Sequence, residues 1–369
     1  MNIFDLVNAT NIAAYWETIA QQEAPYFGET IFPNVRQVGM TMDWLKGATG
    51  APVALAPSAL DTNVVPRGRK GLSKLTQDMA FFKESKYVDE KLRQQLLMLG
   101  NSADQTLRDT IIAHIFDDDI ELIKGAALRR EIIRMEALTT GKAKVTGNGV
   151  DMTIDYDMPT ENIGASKVAW GDAKGNPFED FDRITTQIGN KTGATISRVV
   201  MNRVTWNTLA SNDAIKSTLL ASSASKTNVV LPKSVIMTYL EDEYGLSFAI
   251  YDKGYLGADG KLVKFIPDGK AVFMPAVDLG NTHFGTTPEE ADLLSSNAAQ
   301  VRIVDTGVAV TTTTKTDPVN VETKVSMMSL PSFEQADSVY VLDTTAGATT
   351  TTNTSGSGAA SSTTTGSGK

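Results

Sequence analysis

A mixed α+β fold with one unusually long helix is what the sequence predicts, on three observations. Residues 102–140 repeat apolar side chains at helical intervals with charges between them. Residues 177–275 alternate helical and strand patterns, and residues 301–330 read as two long strands.

The elements follow in chain order. Residues 1–30 carry an amphipathic pattern (Phe4, Leu6, Val7, Ile12, Tyr15, Trp16, Ile19), with Asp5 as the expected cap and Pro25 as the stop, which suits an arm docked elsewhere better than a domain. From Phe32 to about Lys86, Pro33, Gly39, Gly47, Gly50, Pro52, Pro57, Pro66, Gly68 and Gly71 punctuate short extended stretches at 36–45 and 72–82. A segment so broken builds no core alone, and excursions of this length are usually functional or clamped by a partner. The long helix is expected to start at a Ser102 cap, with Gln105 at capping-box spacing, and to stop at Gly141. Its repeat runs Leu107, Ile111, Ile115, Leu122, Ala126, Ile133, Leu138, and at 1.5 Å per residue it spans roughly 55–60 Å.

Beyond it, strands at 144–145 and 150–156 flank the turn Gly147-Asn148-Gly149. Asn176 and Pro177 open a helix with Phe178, Phe181, Ile184 and Ile188 on one face, expected to close at Gly189. A strand is expected at 196–201 and a helix at 235–244 ended by Gly245. Strands at 246–251 and 261–266 flank Ala258-Asp259-Gly260. Residues 301–314 and 319–330 then form two strands around Asp317-Pro318. After Asp343 the chain is a Thr/Ser/Gly tail with too little apolar surface to offset ordering, so 344–369 is expected to be disordered.

The 369 residues exceed one ordinary core and imply two or more packed units, with an apolar share of 41% to fill them. No long apolar run or basic leader suggests a membrane span or signal peptide. With no cysteine, disulfides and thiolate chemistry are excluded. A net charge of −9 opposes a nucleic-acid reader, which needs a basic field, but suits a surface that must not grip a polyanion tightly.

Candidate chemistry is sparse. His114 and His283 lie in unrelated contexts, neither with the helix-spaced partner of a metal site, so structural roles outweigh catalysis. The stretch Gly189-Asn190-Lys191-Thr192 mimics the end of a phosphate loop without its upstream glycine. Asp117, Asp118, Asp119 and Glu121 fan round a helix and cannot converge on one ion; a solvated face or ion pairing is expected. Asp155 and Asp157, two apart on a strand, share a face that a divalent metal could use, but carboxylates are common at strand ends. The basic group Arg67, Arg69, Lys70 and Lys74 suits contact with an acidic surface of another chain, or simple solvation. Neither catalytic, cofactor nor metal residues are therefore assigned, and no cofactor is expected.

The chain carries, in order, 129–131 with Glu136-Ala137-Leu138-Thr139-Thr140-Gly141-Lys142, Ile250-Tyr251-Asp252 to Tyr255, Phe265-Ile266-Pro267-Asp268-Gly269, Gly285-Thr286-Thr287-Pro288-Glu289, Asp317-Pro318, and Leu330-Pro331-Ser332 to Val339-Tyr340-Val341. Together with the order of arm, extended loop, spine helix, α+β domain and returning strands, these residues resemble the Hong Kong 97 capsid fold, and specifically the lambda-like major capsid protein E family of tailed phages. The likeness covers nearly the whole chain up to Asp343. The resemblance implies an N-terminal arm (1–30), an extended loop (31–86), a peripheral domain (87–175 and 300–330, with the spine helix) and an axial domain (176–299 and 331–343). It implies hexamers and pentamers tiling an icosahedral head assembled in the host cytoplasm, a scaffolding protein, a portal protein, in some cases a decoration protein, and packaged double-stranded DNA. In that fold the extended loop of one subunit lies across the next, so the basic group could meet a neighbour's acidic run. Competing readings are an encapsulin-like cellular shell, an α/β metal-dependent enzyme using Asp155 and Asp157, and a tail or baseplate protein.

Overall fold

The structure, a computed structural model, describes residues 7–46, 73–88, 105–220, 232–257, 259–293, 299–317 and 319–345, with isolated positions between 63 and 98. The basic residues Arg67, Arg69 and Lys70, the expected caps Asp5 and Ser102, and nearly all of the Thr/Ser/Gly tail lie outside those residues.

The first helix is Ala9–Ala20 (α1), and its cap is Asn8, whose extended backbone (φ −140°) lets its side chain accept from the Asn11 amide at 2.8 Å. Next come Phe27–Ile31 (α2), the short strand Asn34–Arg36 (β1), and the hairpin Thr41–Lys46 (β2) with Ser73–Asp78 (β3). Ala80–Val88 (β4) follows, then the long helix Gln105–Thr140 (α3), 36 residues ended by Gly141 at φ +69°. Lys142–Gly147 (β5) and Val150–Asp155 (β6) pair antiparallel through Asn148 and Gly149, both at positive φ as a primed two-residue hairpin turn requires. After Ile163–Ala165 (β7), Pro177–Thr192 (α4) runs one turn past the expected stop at Gly189, to Gly193 at φ +73°. The phosphate-loop mimic is thus the last turn of a helix.

Arg198–Met201 (β8) leads into two helices absent from the sequence reading, Arg203–Ser211 (α5) and Asp213–Leu220 (α6), and then Lys233–Tyr244 (α7). Ser247–Ile250 (β9) pairs parallel with β8, so the hairpin expected between 246–251 and 261–266 is instead formed by Gly254–Leu256 (β10) and Leu262–Lys264 (β11). Lys270–Met274 (β12) and Thr282–Phe284 (β13) follow. The strand expected at 301–314 is two, Gln300–Val304 (β14) and Val308–Thr316 (β15), because Asp305 at φ +49° turns the chain between them. Val319–Pro331 (β16) and Tyr340–Asp343 (β17) close the fold.

Two larger sheets result. One runs β1-β13-β16-β15-β14, with β4 on the opposite side of β16 from β15; the other runs β7-β17-β12-β8-β9. The first half of α3 lies on the six-stranded sheet, where Ile115, Ile120 and Ile123 meet Val308, Val310, Val321 and Val325. Ile12 and Trp16 of α1 close the same cluster, so the arm docks on its own chain. In the second half of α3 every residue from Arg130 to Thr139 except Glu136 is buried, and Ile133, Met135 and Leu138 share a core with Tyr156, Leu330 and Phe333. Met42, Trp44, Met79 and Ala80 join that core, so the base of the extended segment is anchored even though the segment has no core of its own. A third cluster packs α4, α5, α6 and α7 against the five-stranded sheet through Phe181, Ile184, Trp206, Leu209, Ile215 and Leu240.

Candidate functional site

The charged side chains singled out from the sequence fall along α3 and on the strands beside it. Asp117 accepts from the Tyr15 hydroxyl of α1 at 3.1 Å. Asp118 and Glu121, 43% and 71% exposed, hold Lys86 of β4 at 3.1 and 2.7 Å. His114, expected to lack a helix-spaced partner, has one in Asp118 four residues on, with Nδ1 3.4 Å from its carboxylate. Asp119 departs from the expected solvated face: it is buried against β16, and burial pushes its carboxyl up to about 7. The four acids thus point to α1, β4 and β16 in turn, as their consecutive helix positions dictate. Of the basic group, Lys74 on β3 pairs with Asp43 of β2 at 2.8 Å within one hairpin.

The buried charges of α3 lie two turns further on, and no sequence argument had assigned them a role. Glu131 accepts from the Gly28 amide at 3.0 Å and from the Tyr251 hydroxyl at 2.8 Å. Arg134 donates through Nε to Thr282 at 2.8 Å and through Nη2 to Asn34 at 2.5 Å, and its Nη1 is 3.8 Å from Glu131. Arg130 pairs with Asp305 at 3.2 Å and lies 5.2 Å over the Phe284 ring. None of the three is more than 4% exposed. Burial raises the Glu131 carboxyl above its ordinary range, and burial with the neighbouring Arg130 charge lowers Arg134 to about 10. One helical turn thereby ties together α2, β1, β13, the β14–β15 turn and the chain after β9. Gly28 is required there by contact alone: a β-carbon would fall on the Glu131 carboxylate and 2.9 Å from Arg134 Cδ. A signal was present in the sequence. Ile132, Ile133, Met135, Ala137 and Leu138 make that turn apolar all round, so charges interleaved among them must be buried and paired.

The carboxylates proposed for a metal do not share a strand face. Strand β6 ends at Asp155, whose side chain bonds Lys142 at 2.8 Å and accepts from the Asp157 amide at 2.9 Å, while Asp157 sits at φ +53°. That arrangement is a local turn motif. Among the described residues no group of three His, Asp or Glu side chains could hold a metal ion, and no helix is long and apolar enough to cross a membrane. His283 is half-buried on β13, and burial lowers its pKa. What the surface offers instead is exposed apolar area: Val38 at 89%, Met40 at 65%, and Leu256 opposite Leu262 in the β10–β11 register at 72% and 69%.

Comparison with known proteins adds a family match and two structural likenesses. A family model described as phage major capsid protein E matches residues 8–343. A prophage protein from E. coli CFT073, solved as a crystal structure and described there as a capsid protein, superposes with a TM-score of 0.57 at 16% identity, over 91% of this chain and 99% of its own. A phage-related protein from Bordetella bronchiseptica RB50 gives a TM-score of 0.52 at 11% identity, over 90% of this chain and 96% of its own.

Proposed function

Because the chain belongs to the phage major capsid protein E family, we propose that it builds a closed icosahedral phage head from hexamers and pentamers of itself around double-stranded DNA. It is a capsid shell protein with a Hong Kong 97-like mixed fold, and its family is one of structural proteins rather than enzymes. The match over residues 8–343 is the observation that carries the reading, and it favours the phage over an encapsulin-like compartment or a tail protein. Exposed leucines, valine and methionine on otherwise ordered strands and turns support self-association, since contiguous apolar area left on a monomer is usually covered by a partner. The net charge of −9 supports an inner surface that encloses DNA without gripping it.

The finer parts of the proposal are a scaffolding protein and a portal protein during assembly in the host cytoplasm, with a decoration protein as an optional addition. The division into peripheral and axial domains also belongs to the proposal, with strand placement refining its boundaries. Sheet membership supports moving β4 and β13, expected in the extended loop and the axial part, to the peripheral side, and β7, expected in the peripheral part, to the axial side. Negative-stain electron microscopy of the purified chain tests the core of it: closed polyhedral particles are expected. Open tubes would favour a tail protein, and dispersed subunits across protein concentration and salt would overturn self-assembly of the chain alone.

A further inference from the structure

One carboxylate in the acidic run of α3 has surroundings unlike its neighbours'. Asp119 is 3% exposed, and its Oδ2 has no hydrogen-bond partner among the described residues. The side chain faces β16, where Thr323, 1% exposed, brings its hydroxyl close without forming a well-shaped hydrogen bond. Thr312 of β15, opposite Thr323 in register, is already occupied by the Ala9 amide of α1 at 3.2 Å. Around this polar spot lie Ile115, Ile120, Ile123, Val321 and Val325.

Among the described residues, two charges act on it. Asp118, the next residue on its own helix, disfavours ionisation, and Lys86 of β4 favours it; but Lys86 is shared with Asp118 and Glu121. From β15, β16 and α1 the facing polar groups are hydroxyls and one amide, with no cation. An ionised Asp119 would therefore have only a cation already shared by two other carboxylates, in a mainly apolar seam, which is costly.

We propose that Asp119 is a pH-sensitive catch: protonated, it lets α3 seat on β16 and hold β4, the strand at the base of the extended segment; ionised, it loosens that seat. This inference does not depend on the capsid reading. The sign follows from proton linkage. Packed, the carboxyl titrates at about 7; opened to water, it returns to about 3.9. Between those values opening releases a proton, so opening becomes easier as pH rises, by up to about tenfold per pH unit. Above the packed value both states are ionised and the effect levels off.

Hydrogen exchange of the full-length chain between pH 5 and 8.5, corrected for the chemical rate, reads this directly. Peptides covering 80–88 and 113–124 are expected to lose protection by up to about a hundredfold between pH 5 and 7 and then to level, while peptides of α4 and β12 stay constant. Asp119→Asn, neutral at every pH, should be flat. Thr323→Val, which removes the one hydroxyl favouring the carboxylate, should move the levelling point to higher pH. Wild-type protection independent of pH, or an equal fall throughout the chain, overturns the proposal. So does an Asn variant that keeps the fall. Should that variant not fold, an unmoved levelling point in Thr323→Val overturns it equally.

Discussion

The two halves of α3 carry similar numbers of charges and use them in opposite ways. In the first, Asp117, Asp118 and Glu121 reach solvent and hold partners loosely, Asp119 is buried, and apolar contacts from Ile115, Ile120 and Ile123 seat the helix on the sheet. In the second, Arg130, Glu131 and Arg134 are sealed in the core and bond five separate parts of the chain. Exposed pairs are weak because water screens them; a buried pair need add little net stability either, yet losing one partner strands the other without solvent. The teaching is that the first half is adjustable and the second is a fixed hub.

The most drastic way to break that contrast is Arg134→Met. It keeps the volume but leaves Glu131 with only the Gly28 amide and Tyr251 hydroxyl, and removes the bonds to Asn34 and Thr282. Urea unfolding should show a loss of about 3–5 kcal/mol, with much of it recovered when Glu131→Gln is added. A loss below about 1 kcal/mol would mean the hub is no more demanding than a surface pair.

How far the sequence revealed these two halves differs in the same sense. The long helix, the Asn148-Gly149 hairpin, the Asn176-Pro177 start and the Gly245 stop were legible because caps and turn residues act locally. The parallel pairing of β9 with β8 and the split at Asp305 were not, since partners far apart in the chain are chosen by tertiary packing and Asp305 owes its turn to bonds with Trp16 and Arg130. Helices α5 and α6 were missed although Asn202 and Asn212 cap both starts, because short helices carry little periodicity. Of the candidate site, the acidic run was found but Asp119 was read as one of four equal acids; only the position of β16 distinguishes it. The burial of the hub is legible in the apolar residues around it, but its partners Gly28, Asn34, Tyr251 and Thr282 are not, because only the tertiary fold brings them to Glu131 and Arg134.

A smaller effect tests whether the adjustable half also serves a neighbouring copy. Glu121 and Asp118 keep exposure beyond their bond to Lys86, so an incoming cation could share them. If the basic group of one chain meets this run on the next, Arg67→Glu with Arg69→Glu should weaken assembly while leaving circular dichroism unchanged. Adding Asp118→Lys and Glu121→Lys should restore part of it. Each exposed pair contributes only about 0.2–1 kcal/mol, but the contact repeats in every subunit. A fourfold variant that assembles no better than the twofold one, with both folded, would place the acidic run outside any such contact.

The smallest expected effect is at Lys86 within one chain. Lys86→Met should cost less than about 1 kcal/mol, because a partly exposed ammonium between two exposed carboxylates gains little over water. A double-mutant cycle with Glu121→Gln should give a coupling of about 0.2–1 kcal/mol in low salt that vanishes near 1 M, where screening acts within about 3 Å. The same variant has a second readout. Lys86 is the cation that favours ionised Asp119, so its removal should shift the levelling of β4 exchange to higher pH while global stability barely moves. A coupling above about 2 kcal/mol that survives high salt would put this pair in the class of the buried hub, and the contrast between the two halves of α3 would fail at its exposed end.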